Sequence, residues 1–262
     1  MNIAPIGFFD SGIGGVSIWK EVQKLLPNES TIYLADSKNA PYGEKSPQEI
    51  TQLCKKNTEI LLKKGCKLII VACNTATTNA IDYLRKNYDV PFIGIEPAIK
   101  PAALYSKTGA VGILATKGTL TSKLFEKTTR EYTKNITTIE QDGDGLVPLI
   151  EQGKMYSDEM TTLLNTYLKS VLKYNIDHLV LGCTHYPFLI PQIKKIIGEH
   201  VKIIDSGAAV AKQTNAVLHK NNLFAQNNPS PTYKFYINTQ PEVLNNILHG
   251  LTFSVIIETL DF

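Results

Sequence analysis

The chain alternates short, wholly apolar runs with longer stretches in which apolar residues recur every three or four positions. The runs lie at 6–9, 32–34, 68–71, 92–95, 111–114, 179–181 and 201–204. Solid apolar runs of this length are what strands covered on both faces look like, in contrast to the alternation of half-exposed strands. Between them, Val16, Trp19, Val22 and Leu26 recur at helical spacing, as do Ile50, Leu53, Asn57, Ile60 and Leu61. Strands alternating with helices predict an α/β architecture built on parallel sheets.

The pattern also repeats. IGFFDS at 6–11 resembles VGILAT at 111–116, and GCKLIIVACNT at 65–75 resembles NIDHLVLGCTH at 175–185. Both offsets are a little over one hundred residues, which predicts two similar α/β halves, each of ordinary domain size. The repeats end in matching polar positions, Ser11 with Thr116 and Cys73 with Cys183. From Lys212 onward nothing corresponds to the repeat. That tail holds a Gln/Asn/Ser/Pro-rich stretch at 226–231, a strand-like run at 233–237 and a helix-like piece at 241–248.

Composition narrows the function. The 262 residues are 43% hydrophobic, enough for one large domain or two modest ones. The net charge is +3 and the lysines are scattered, which argues against nucleic acid as the primary ligand. The opening MNIAPIGFFDSG is not a secretory signal pattern, and no apolar stretch reaches the roughly 18 residues of a membrane helix. A cytoplasmic protein with no membrane partner is expected. Four cysteines without a C-x-x-C pair suit a reducing compartment, where thiols are either buried and inert or chemically active.

Ligands of parallel α/β sheets bind beyond the carboxyl ends of the strands, so the text after each run is informative. After 6–9 comes Asp10-Ser11-Gly12-Ile13-Gly14-Gly15 and then a helix. This partly matches a dinucleotide fingerprint, with Asp36 near the place of a ribose-binding acid, but Ser17 stands at the sixth position. A structural tight turn is the plainer alternative, and an acid at the loop's start would repel a pyrophosphate and attract an ammonium. After 68–71 comes Ala72-Cys73-Asn74-Thr75, and after 179–181 comes Gly182-Cys183-Thr184-His185. A lone cysteine at a strand end is ordinarily a small buried hydrophobe. Two at equivalent positions of two halves would share a crevice if the halves face each other, each followed by groups able to bind a carboxylate. Opposed thiols suit proton exchange at carbon, because one removes the proton and the other delivers one to the opposite face. Asp10 would stand near Cys73 if the first and third strands are neighbours.

A metal site made from Cys73, Cys183 and His185 and a cysteine–histidine acyl-transfer dyad are the competing uses. Cys183 and His185, two apart on one segment, need not point at each other. Asn39 to Ser46 reads on its own as a surface turn. Thr116, Thr119 and Thr121 open a helix, where capping is the more ordinary use of their hydroxyls and anion binding the other.

The segments FDSGIGG, APYGEKS, VACNTAT, GIEPAIKPA, ILATKGTLTS, LVPLIEQG, LVLGCTHYPFL and IIDSGAAVA, covering residues 8–211, resemble the glutamate racemase family of the aspartate/glutamate racemase superfamily. The resemblance implies two flavodoxin-like parallel-sheet domains related by pseudo-two-fold symmetry, with the active site in the cleft between them. The first would comprise 1–97 plus 208–262, completed by the C-terminal segment, and the second 98–207. It implies that Cys73 acts on the D-enantiomer and Cys183 on the L-enantiomer. Asp10 would contact the substrate ammonium and assist Cys73, while Glu151 and His185 assist Cys183. Asn74, Thr75 and Thr184 would bind the α-carboxylate, and Ser11, Tyr42 and Gly43 the side-chain carboxylate. Thr116, Thr119 and Thr121 join the substrate-binding candidates. The resemblance further implies no cofactor and no metal, glutamate as substrate, a homodimer, and supply of D-glutamate for peptidoglycan. A racemase of the same superfamily acting on aspartate or another amino acid, and a non-catalytic α/β ligand-binding protein, are the alternatives.

Overall fold

A computed structural model describes residues 3–225 and 228–262, so the first part of the 226–231 stretch, Gln226 with its neighbour, lies outside the described residues. The strands are β1 (Ile6–Asp10), β2 (Thr31–Ala35), β3 (Leu68–Val71), β4 (Phe92–Gly94), β5 (Ala110–Ala115), β6 (Thr137–Asp142), β7 (His178–Gly182), β8 (Lys202–Ile204), β9 (Tyr233–Ile237) and β10 (Ile256–Thr259). They form two all-parallel sheets with helices between the strands. One sheet has the order β10-β9-β2-β1-β3-β4 and the other β6-β5-β7-β8.

The four strands β1–β4 and the four strands β5–β8 are thus arranged in the same way, second-first-third-fourth. The sequence repeat maps onto this order, with β1 matching β5 and β3 matching β7. In each sheet the chain leaves the first strand to one side and returns on the other, so a crevice opens between the ends of the first and third strands. The ends of β1 and β3 carry Asp10 and Cys73. Those of β5 and β7 carry Thr116 and Cys183. The C-terminal segment adds β9 and β10 to the first sheet, beside β2.

The central strands β1, β2, β3, β5 and β7 are buried at every position, which is why they read as solid apolar runs. The sequence reading missed two strands, β6 and β10. Both are sheet edges, and β6 is the polar segment TTIEQD, exposed or half-buried throughout. Polar edge strands carry little apolar pattern because one side meets water. The run expected at 201–204 forms a strand only from Lys202, and the one at 92–95 ends at Gly94. No helix among the described residues is long and apolar enough to cross a membrane.

The tail is tied to the first sheet by aromatic packing. Trp19, on the helix Val16–Leu25, is fully buried and meets Phe235 edge-on at 4.8 Å between ring centres and Tyr233 at 5.9 Å. Its Nε1–H donates to Thr31 Oγ1 at 2.9 Å. Replacing Trp19 with alanine should therefore lower stability by about 3–5 kcal/mol, read by denaturant unfolding. A loss below about 1 kcal/mol would mean that β9 is held by other contacts.

Candidate active site

Cys73 and Cys183 line one small cavity together with Ser11, Tyr42, Asn74, Thr75, Thr184 and His185, and with Gly43 and Thr116 at its rim. Both thiols are almost fully buried. Asp10, Glu151 and Thr119 lie behind these residues rather than on the cavity wall. Thr121 is exposed, with its hydroxyl donating to the Lys117 carbonyl at 3.0 Å, and is not brought to the cavity. The cavity's free volume is only about 10 Å³, about what one water needs. It adjoins a wider cavity of about 240 Å³ that shares Pro41, Gly43, Thr116 and Val147 and continues to Asp142 and Asp144.

Cys73 occupies the N-cap of the helix Asn74–Asn87, and its sulfur accepts the Ala76 amide at 3.4 Å. A second contact joins it to Ser11 Oγ at 3.6 Å. Burial and the neighbouring Asp10 charge push the Cys73 thiol well above its ordinary range, so it stands as the neutral thiol. Burial likewise pushes Asp10 up to about 6, against the charge of His185 and the Gly15 amide, both of which favour the carboxylate. By contrast, Cys54 and Cys66 lie in the core beneath the first sheet, and burial raises both, Cys66 to about 12. They are inert apolar side chains at neutral pH.

On the other side, Cys183 Sγ meets His185 Nδ1 at 3.8 Å, and His185 Nε2 meets Glu151 Oε1 at 2.6 Å. The two residues of the Cys183–His185 segment do face each other, which spacing alone left open. Burial works against a charged His185, but its hydrogen bonds to Cys183 and Glu151 and the Glu151 charge outweigh it and hold the ring protonated. For Glu151, burial opposes the charge, and hydrogen bonds from His185, Ser37 and Ile13 more than offset that and keep it ionised. As an imidazolium, His185 donates from both nitrogens, to the carboxylate and toward the sulfur.

The glycine loop after β1 explains how these groups meet. The Ser11 amide donates to Asp10 Oδ1 at 2.7 Å and the Gly15 amide to Asp10 Oδ2 at 2.5 Å. The Ile13 amide donates to Glu151 Oε1 at 2.7 Å. The loop is an anion cradle, but the anions are the protein's own carboxylates, and these N–H groups are not free for a pyrophosphate. A Cβ on Gly12 would stand 2.0 Å from Glu151 Oε1, and one on Gly14 2.2 Å from His185 Nδ1. The glycines make room for the pair delivered from the second sheet. Asp36, the other part of the dinucleotide match, is buried and accepts from Tyr42 OH at 2.5 Å, Asn238 Nδ2 at 2.6 Å and Asn39 Nδ2 at 2.8 Å.

Further contacts cross between the halves. Ser17 Oγ donates to the Thr184 carbonyl at 2.8 Å, and Thr184 Oγ1 donates to Asp10 Oδ2 at 3.4 Å. Thr75, Thr116 and Thr119 form a triangle of hydroxyls with sides of 2.8, 3.1 and 3.1 Å. The expectation that these threonines cap their helix fails. Thr116 sits at the N-cap of Lys117–Leu120 but makes no capping bond, because its hydroxyl is turned to Thr75 across the cleft. Among the described residues no group of three or more His, Cys, Asp or Glu side chains is arranged to hold a metal ion.

Sequence reasoning missed Ser37 and Asn238. Ser37 Oγ donates to Glu151 Oε2 at 2.7 Å, and Asn238 links Asp36 to the Lys38 amide at 2.8 Å. The signal was available, since they follow the carboxyl ends of β2 and β9, where ligand-side residues of a parallel sheet collect.

Residues 15–214 match the family described as Asp/Glu/hydantoin racemase. A glutamate racemase of Herpetosiphon aurantiacus is 46% identical over 218 residues, covering 83% of this chain and 86% of that one. Among solved structures, a glutamate racemase isoform of Bacillus anthracis superposes with a TM-score of 0.87 at 30% identity, covering 100% and 99% of the two chains. The Escherichia coli glutamate racemase, solved with L-glutamate and the activator UDP-MurNAc-ala, superposes at 0.86 and 30% identity, with 98% of each chain covered.

The close fit of the loop around His185 yields a test that needs no assay. Nitrogen-detected NMR of His185 should show a ring protonated through pH 7 in the unaltered protein. Gly14→Ala should displace the ring from Glu151 and return its titration toward the ordinary histidine range; an unchanged titration would mean that the loop does not hold the pair together.

Proposed function

This chain belongs to the Asp/Glu/hydantoin racemase family, and on that footing we propose that it interconverts L- and D-glutamate by exchange of the α-proton between Cys73 and Cys183. The observation that carries the reading is a single cavity lined by two thiols from equivalent strand ends of two like-ordered sheets. A planar carbanion held between them is open to a proton on either face.

In the L-to-D direction Cys183 takes the α-proton and Cys73, the neutral thiol, delivers one to the other face. The reverse direction exchanges the roles. The α-carboxylate is assigned to Asn74, Thr75 and Thr184, the first two at the start of the helix Asn74–Asn87. Helix amides and dipole favour an anion there, and the same dipole steadies a Cys73 thiolate once formed. The side-chain carboxylate is assigned to Ser11 and to the Tyr42–Gly43 turn. The Tyr42 hydroxyl is committed to Asp36, which leaves the turn's backbone as its binding group. Thr116 closes the rim, with Thr119 behind it. Asp10 acts from behind Ser11 and Thr184 as the negative charge that favours the ammonium and tunes Cys73. Glu151 and His185 serve Cys183.

The space between the thiols is too small for a five-carbon amino acid, so substrate entry requires side chains or segments around it to move. The division into 1–97 plus 208–262 and 98–207 is supported by strand order, because β9 and β10 join the first sheet. A homodimer, a cytoplasmic location and supply of D-glutamate for peptidoglycan complete the proposal and rest on family membership. An aspartate racemase is the alternative within the superfamily.

Circular-dichroism assay of the purified protein should show racemisation of either glutamate enantiomer and far less of aspartate. Cys73→Ala and Cys183→Ala should each abolish it while leaving the fold intact; full turnover by either variant would contradict the two-thiol assignment. Asp10 is needed as the carboxylate, and its pKa is raised to about 6, so it protonates as pH falls through that value. The profile of kcat/KM should accordingly drop on the acid side near pH 6, and Asp10→Asn should abolish that limb along with most activity. A profile flat to pH 5 would remove Asp10 from the mechanism.

A further inference from the structure

Glu151 is held by an unusual set of partners. It ends the helix Leu146–Glu151, where the helix dipole disfavours a negative charge, so its ionisation depends on donors from elsewhere. Three are present. Oε1 accepts from the Ile13 amide and from His185, and Oε2 accepts from the Ser37 hydroxyl at 2.7 Å. Ser37 belongs to the first sheet's side of the cleft, 114 residues away in sequence. Its backbone is fixed on both flanks: the Asp36 amide donates to the Asp10 carbonyl at 3.0 Å, and the Lys38 amide donates to Asn238 Oδ1 at 2.8 Å.

We propose that Ser37 is a positioning residue for the Cys183 half of the reaction: its hydroxyl fixes the Glu151 carboxylate, which orients His185 against Cys183. Ser37 touches neither thiol and does not line the cavity between them. Its influence runs through one hydrogen bond that locks the carboxylate's rotation while the other oxygen holds His185. Ser37 and Glu151 also border a second cavity of about 350 Å³ that neither thiol lines. Without the hydroxyl, Oε2 would face that cavity and take a loosely held water as donor. The carboxylate could then turn, and His185 would lose its fixed aim at the sulfur.

The inference rests on the racemase reading above. It also makes an asymmetric forecast, because Ser37 serves Cys183 and not Cys73. In Ser37→Ala, kcat should fall about tenfold, less than the roughly hundredfold cost of a full 1 Å misplacement, with KM changed less than about twofold. The primary isotope effect with α-deuterated L-glutamate, which reports proton removal by Cys183, should rise. The effect with α-deuterated D-glutamate, which reports removal by Cys73, should fall toward unity as the Cys183 step comes to limit the rate. Ser37→Thr keeps the hydroxyl, has room for its methyl in the neighbouring cavity and should restore both rate and isotope effects.

Unchanged kinetics in Ser37→Ala, equal changes of the two isotope effects, or failure of Ser37→Thr to rescue would overturn the assignment. Absence of glutamate racemisation in the unaltered protein would instead overturn the proposed function, which separates the two failures.

Discussion

The hydrogen bond from the Ile13 amide to Glu151 is the contact on which the rest of the site depends. It is made by the glycine loop of one sheet to a carboxylate of the other, and on that carboxylate rests His185, which faces Cys183. The same loop, two residues on, donates from Gly15 to Asp10, which sits beside Cys73. A single turn of backbone therefore holds the ionisable groups that stand beside both thiols. Its glycines are required because any Cβ at position 12 or 14 would occupy the space of Glu151 or His185. The two carboxylates come from segments of different sheets, and little free space separates the thiols they stand beside.

The duplicated strand order delivers matched thiols, but the surroundings are not matched. Cys73 has a buried carboxylate at about pKa 6 and a helix N-terminus beside it. Cys183 has a protonated imidazole backed by an ionised carboxylate. The proposed mechanism requires environments that differ, since a base on one face must be met by an acid on the other. In the duplicated frame β7 occupies the place of β3, and the loop sequences CNTAT and CTHYP account for the difference in chemistry.

Much of this was legible in the residues. The buried strands announce themselves as apolar runs because both faces are covered, and the internal likeness of 6–11 with 111–116 anticipates the shared sheet order. The two cysteines stand out because they recur at equivalent strand ends. What stayed hidden depends on contacts far apart in sequence. Nothing local says that Gly12 and Gly14 make room for residues 139 and 171 positions later, so the loop reads as a partial dinucleotide site. Ser37 looks like an ordinary turn residue until Glu151 is placed against it. The edge strand β6 escapes because water on one side removes the apolar pattern that marks the interior ones, and β10 because its apolar run at Val255–Ile257 is only three residues long.

The central claim is that each face of the α-carbon has its own sulfur. Racemisation of L-glutamate in deuterium oxide, stopped at low conversion, tests it most directly. Separate bases require that the D-glutamate formed carry solvent deuterium at the α-position while the recovered L-glutamate stays unlabelled. Deuterium entering the recovered L-glutamate as fast as it enters the product would mean that one group serves both faces, and the account would be wrong.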